Sequence, residues 1–188
     1  MTDFEPFFNE YGKPIEPERG EAKLLHVYKG IVPDPLIEFW ERFGFGGYAK
    51  GLVWVVNPTL LDDVLAEWVT AKKNRAVPVI RTAFGNIVYW QGDQFTFLDV
   101  HYDRRVGAGS DVEVLFGFYL VDEKSRRSVL EEPLFKKALK ARGTLKRDEI
   151  YSYKLPLAMG GTPDVKNMEK AKMREHLSIL ATIHKGKG

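Results

Sequence analysis

Cysteine is absent from the 188-residue chain. That removes disulfides, thiolate metal centres and cysteine nucleophiles together. Long apolar runs are absent too: nothing approaches the roughly 18 consecutive apolar residues of a membrane span. The opening MTDFEPFFNEYG is acidic and aromatic, without the basic-then-apolar order of a secretory signal. These absences lead us to expect a cytoplasmic protein with no membrane partner. Internal repeats and low-complexity tracts are missing as well. Net charge is nearly missing, at +2, but what charge there is lies unevenly. Residues 1–70 carry 12 Asp/Glu against 6 Lys/Arg, net −6, and the remainder 14 against 22, net +8. A basic second part suits nucleic acid, and an acidic first part suits a basic protein partner. Charge alone does not choose between them.

What is present is a globular composition, 44% hydrophobic, enough for one ordinary domain or two small ones. FEPFFNEYGKPIEPERGE reads as a short helix and an extended arm. VPDPLIEFWERFG reads as a helix capped by Asp34, with Pro35 at its first position and Gly44 just past its end. LVWVV reads as a buried strand. NPTLLDDVLAEWVTAKKN predicts a helix over 58–73, with Lys72 and Lys73 complementing its C-terminal dipole. VPVIRTAFG, NIVYWQ and QFTFLDVHYD are β-rich runs split by turn signals, the pattern of an antiparallel meander. RRVGAGSD reads as a loop, VEVLFGFYLVD as a further strand, and EEPLFKKALKARG as a helix stopped by Gly143. LKRDEIYSYKLPLAMGGTPD reads as irregular. VKNMEKAKMREHLSILATIH predicts a closing helix with Met168, Ala171, Leu177 and Leu180 in the core. The expected class is α+β: a mainly antiparallel sheet flanked by helices, in two small subdomains packed together, 1–105 and 106–188.

Four constellations invite a chemical reading. Gly44-x-Gly46-x-x-Ala49 formally matches a dinucleotide fingerprint. That motif needs a strand before it and a helix after it, to put a helix N-terminus on the pyrophosphate. Here the order is reversed, so the glycines read as a helix stop and strand entry. Asp99, His101 and Asp103 alternate along a strand and so share a side, an arrangement open to metal binding or acid–base work. His26, His176 and His184 stand in no ligand-like spacing, and a polar strand end is the plainer reading. Arg104-Arg105, Arg126-Arg127, Lys136-Lys137 with Lys140, and Lys146-Arg147 are basic runs that suit phosphates. They suit an ordinary solvated face equally. Asp62, Asp63 and Glu67 gather on one helix face away from its apolar stripe, as a docking surface for a basic protein or as plain solvated acids. Ser110 in GAGSD lacks the Gly-x-Ser-x-Gly of a nucleophile elbow. No catalytic residue, metal site or cofactor site is expected.

The stretch YKGIVPDPLIEFWERFGFGGYAKGLVWVVNP, with LAEWV and RTAFGNIVYW after it, resembles the GAD-like domain. LFKKALKARGTLKRDEIYSYKLPLAMGG and MREHLSILA resemble the C-terminal domain that accompanies it in immunity proteins of type VI secretion nuclease effectors. Leu52 and Val53 around the usual aromatic position, and Lys154 and Leu157 in KLPLAMGG, depart from the pattern at packing positions. The resemblance implies a non-enzymatic protein that binds a cognate secreted nuclease, usually a DNase, and neutralises it. It implies a monomer, or a one-to-one heterodimer with that effector, and no direct contact with nucleic acid. The alternative from charge alone is a nucleic-acid-binding or regulatory module using the basic second part.

Overall fold

The computed structural model describes residues 2–70 and 74–186. Helix α1 (Glu5–Tyr11), strand β1 (Ile15–Glu18) and helices α2 (Ala22–Tyr28) and α3 (Asp34–Phe43) lead into strands β2 (Phe45–Tyr48) and β3 (Val53–Val55). After α4 (Asp62–Trp68) come β4 (Val77–Thr82), β5 (Ile87–Gln91), β6 (Gln94–Asp99) and β7 (Arg104–Gly107). These seven strands form one sheet in chain order, each antiparallel to the next. The remainder holds α5 (Val112–Val114), which runs into a π-helical turn at Leu115–Tyr119. It continues with α6 (Glu123–Ser128), α7 (Glu132–Arg142), β8 (Glu149–Tyr153), β9 (Met168–Lys172) and α8 (Met173–Lys185). Strands β8 and β9 pair antiparallel in a small sheet of their own. The class is α+β, as the sequence implied.

The large sheet buries both faces, so its central strands are mostly apolar instead of alternating with polar residues, with Arg81 of β4 a buried exception. Val53, Val55, Val88, Trp90, Phe95 and Phe97 face one core, together with α1, α3, the π-helical turn and α7. Their chain neighbours Trp54, Ile87, Tyr89 and Leu98 face the other, against α4 and α8. In the first core Phe4, Phe7, Phe39 and Phe116 meet mostly edge to face, with centroids 4.5–6.0 Å apart, a geometry that adds stability beyond area burial. Both cores draw on the small sheet: Tyr151 and Tyr153 enter the first, Ile150 the second. The Tyr151 amide donates to the carbonyl of Ala83 at the β4–β5 turn, 2.9 Å away, and joins the small sheet to the large one.

A row across β2, β3 and β4 explains the glycines. Gly47 faces Trp54, which faces Arg81. A methyl group on Gly47 would sit 2.7 Å from the Trp54 ring, so only glycine lets the indole lie flat there. The Arg81 guanidinium covers the same indole, 4.4 Å from its centroid. Arg81 is fully buried and donates to the carbonyls of Thr82, Lys146 and Arg147. Burial pushes its pKa down, while Asp148 and Glu16 oppose that. Gly46 and Gly47 therefore lie inside a strand, and the connector expected between helix and strand is a hairpin limb.

Several boundaries differ from the sequence reading. Helix α4 is shorter than 58–73, because Asn57 caps a separate turn at Pro58–Leu60. Asp34 makes no side-chain cap and sits in the first turn of α3, whose cap position is Pro33. Lys72 and Lys73 lie outside the described residues. Residues 104–107 form β7 instead of a loop. VEVLFGFYLVD is helical: Asp111 accepts from the amides of Glu113 and Val114, and Val112, Leu115, Phe116 and Leu120 are buried at helical spacing. The segment read as irregular contains β8, and Met168–Lys172 is a strand where a helix was expected. Ala171 is half-buried on that strand; Leu177 and Leu180 are core residues of α8.

Candidate functional site

The acids of α4 are already engaged with the rest of the chain. Asp62 accepts from the Tyr28 hydroxyl at 2.9 Å and pairs with Arg75. Asp63 accepts from Arg174 of α8 at 3.0 Å, a bond that holds its carboxyl below the usual range. Glu67 accepts from the Ser178 hydroxyl at 2.6 Å. The three residues do lie on one helix, and Asp63 remains mostly exposed within its ion pair. Part of the basic runs is paired in the same way. Arg126 reaches Glu10 and Glu132, Arg147 reaches Glu18, and Lys136 reaches Glu132. The negative first part and positive second part thus meet across the molecule.

Asp99, His101 and Asp103 do not converge. Asp99, at the end of β6, accepts from the amides of His101 and Tyr102 and from the Arg104 guanidinium, 3.1–3.3 Å away. Asp103 takes a left-handed backbone conformation and pairs with Arg105. Among the described residues, no group of three or more His, Asp or Glu is placed to hold a metal ion.

Asp99 and His101 instead line a cavity of about 180 Å³ that sequence reasoning missed. Tyr102, Arg104, Glu131 and Tyr153 line it too, with Asn86, Tyr119 and Ser128 as its other polar residues. His101 is 3% exposed. Its Nε2 lies 2.9 Å from the Phe84 carbonyl. A carbonyl only accepts, so Nε2 carries the proton and Nδ1 keeps a lone pair. Among the described residues that Nδ1 has no hydrogen-bond partner. Burial pushes His101 down to about 4, which keeps the ring neutral. Glu131, just before α7, holds φ +52 in the left-handed region, which is costly for a side chain other than glycine. Burial, then the charge of Asp99, pushes its carboxyl up to about 7. Burial and Glu131 likewise raise the Tyr153 hydroxyl. In sequence, Glu131 reads only as the acidic start of a helix; nothing local marks its burial.

Residues 2–102, more than half of the chain, match the family model of the GAD-like domain. The chain belongs to the GAD-like domain family. Residues 114–184 match a second model, the T6SS immunity protein Tdi1 C-terminal domain, which supports a role in type VI secretion immunity and implies an effector protein as partner. The crystal structure of Atu4351 from Agrobacterium tumefaciens is similar in fold, with a TM-score of 0.76 at 23% identity over 95% of this chain and 88% of that one. No curated protein matches the chain. Among the described residues, no helix is long and apolar enough to cross a membrane. The cavity lies where the two matched segments meet: Asp99, His101 and Tyr102 belong to the GAD-like segment, Glu131 and Tyr153 to the Tdi1-type segment.

Proposed function

We propose that the protein binds a cognate nuclease effector of the type VI secretion system, a DNase, and neutralises it one-to-one in the cytoplasm without catalysis of its own. The observation that carries this is the match of residues 114–184 to the Tdi1-type immunity domain. The two parts, 1–105 and 106–188, act as one binding body, since β7 crosses that boundary and closes the edge of the sheet. Arg126 and Arg147 are held in ion pairs within the molecule, which leaves fewer of the basic residues free to meet phosphates.

The proposed contact is the α4 face of Asp62, Asp63 and Glu67, with Asp63 its most exposed member. A basic nuclease surface would meet it with complementary charge, which mainly speeds encounter. Co-expression with a secreted nuclease encoded in an adjacent reading frame should restore growth, and the purified pair should elute as a one-to-one complex. Reversing Asp63 and Glu67 to Lys should slow association by about tenfold at low salt. Continued toxicity despite full expression overturns the proposed function. Unchanged association and salt dependence overturn the α4 contact alone.

A further inference from the structure

Glu131 combines three costs at one position: a left-handed backbone without being glycine, a largely buried carboxyl, and a like charge nearby in Asp99. Strain of this kind persists where a site over-determines it. His101 lines the same cavity, and its almost fully buried Nδ1 has no hydrogen-bond partner among the described residues. Once pH rises past about 7 the Glu131 carboxylate is ionised, and it and the bare ring nitrogen are then both acceptors that cannot satisfy each other.

We infer that this cavity is a receptor for a protonated amine or guanidinium group. Such a group brings several N–H donors and a positive charge, which suits a wall that holds two carboxylates, Asp99 and Glu131, and a neutral imidazole. The aromatic walls, Tyr102 and Tyr153, suit a cation as well. The rim already shows the chemistry: the Arg104 guanidinium rests on Asp99 at 3.2 Å and lies 5.9 Å from the Tyr102 ring centroid. An anion would face Asp99 and Glu131, and among the described residues no three-ligand group is placed for a bare metal ion. The inference stands apart from the effector proposal, since it rests on the cavity alone.

Calorimetric titration of the full chain with agmatine, which carries both cationic groups, tests it. Binding is expected to tighten as pH rises through about 7, where Glu131 ionises. Asp99 and Arg104 face Glu131 as a charge pair, His101 is neutral, and the hydroxyls of Tyr119 and Tyr153 are raised. Tyr102 lines the same wall. Glu131→Gln should weaken agmatine by about tenfold or more, the loss of one charge-assisted hydrogen bond, and should flatten the pH dependence. Arg104→Ala, at a largely exposed side chain, should tighten it by removing a competing cation; this variant carries the test if Glu131→Gln does not fold. No agmatine binding, equal binding by Glu131→Gln, or weaker binding by Arg104→Ala overturns the inference. Displacement of agmatine by a bound effector would identify the cation as a partner's Lys or Arg. Simultaneous binding would identify it as a free small molecule, and both results uphold the chemistry. A failure to bind effector bears on the proposed function only.

Discussion

Glu131 and His101 look into the same cavity and pull the proton balance in opposite directions. Glu131 titrates at about 7 against an ordinary 4.5, so the folded state holds the extra proton. Its contribution to stability is present below 4.5 and is lost as pH rises through 7. His101 titrates at about 4 against 6.5, so its contribution is present above 6.5 and is lost as pH falls through 4. Between 4.5 and 6.5 the two slopes oppose. Urea unfolding of Glu131→Gln should therefore show a steeper gain with pH across that window. At about pH 8 the variant should be more stable than the unaltered chain by on the order of 1 kcal/mol. Superimposable curves would show that Glu131 is not held protonated by burial. None of this could be read from EEPLFKK, because much of the cavity around Glu131 is built by β6 and β8, far away in sequence.

The β2–β3–β4 row is the element whose test is sharpest. Gly47→Ala forces a methyl into the Trp54 ring. It should cost about 2 kcal/mol, the scale of overpacking a tight core. Gly107→Ala on β7 meets nothing within 4 Å and should stay within about 0.5 kcal/mol. Urea midpoints of the two variants check this, and equal midpoints would remove the packing account. The sequence showed the glycines and the strands around them, yet assigned the glycines to a turn. Their role depends on Trp54 lying opposite, which is a register fact. VEVLFGFYLVD misled for a different reason: its β-branched and aromatic residues favour strands, while the cap at Asp111 and the spacing of Val112, Leu115 and Phe116 specify a helix. The meander was legible because two buried faces give continuous apolar runs between turn signals. The cavity was not, because its lining comes from residues separated by tens of positions.

At the scale of the whole molecule, both cores are shared between the two family segments. The charge asymmetry along the chain is consumed in the same way: Glu10, Glu18 and Asp63 of the acidic part bind Arg126, Arg147 and Arg174 of the basic part. Each such surface pair adds little alone, about 0–1 kcal/mol, so the apolar cores carry the union. We expect one cooperative thermal transition for the full chain, with calorimetric and van't Hoff enthalpies equal. Residues 1–105 alone lack Leu115, Phe116 and Leu120 of the first core. That fragment should give no cooperative transition and weak near-ultraviolet dichroism; a sharp transition would show that the GAD-like segment folds independently.

The sharing of those cores also sets a timetable. A ribosome delivers the chain from its first residue onward, and Phe4, Phe7 and Phe39 emerge long before their partner Phe116. The second core closes only with Leu180 and Ala181. For most of its translation the nascent protein carries an open aromatic face and cannot yet present a finished binding surface.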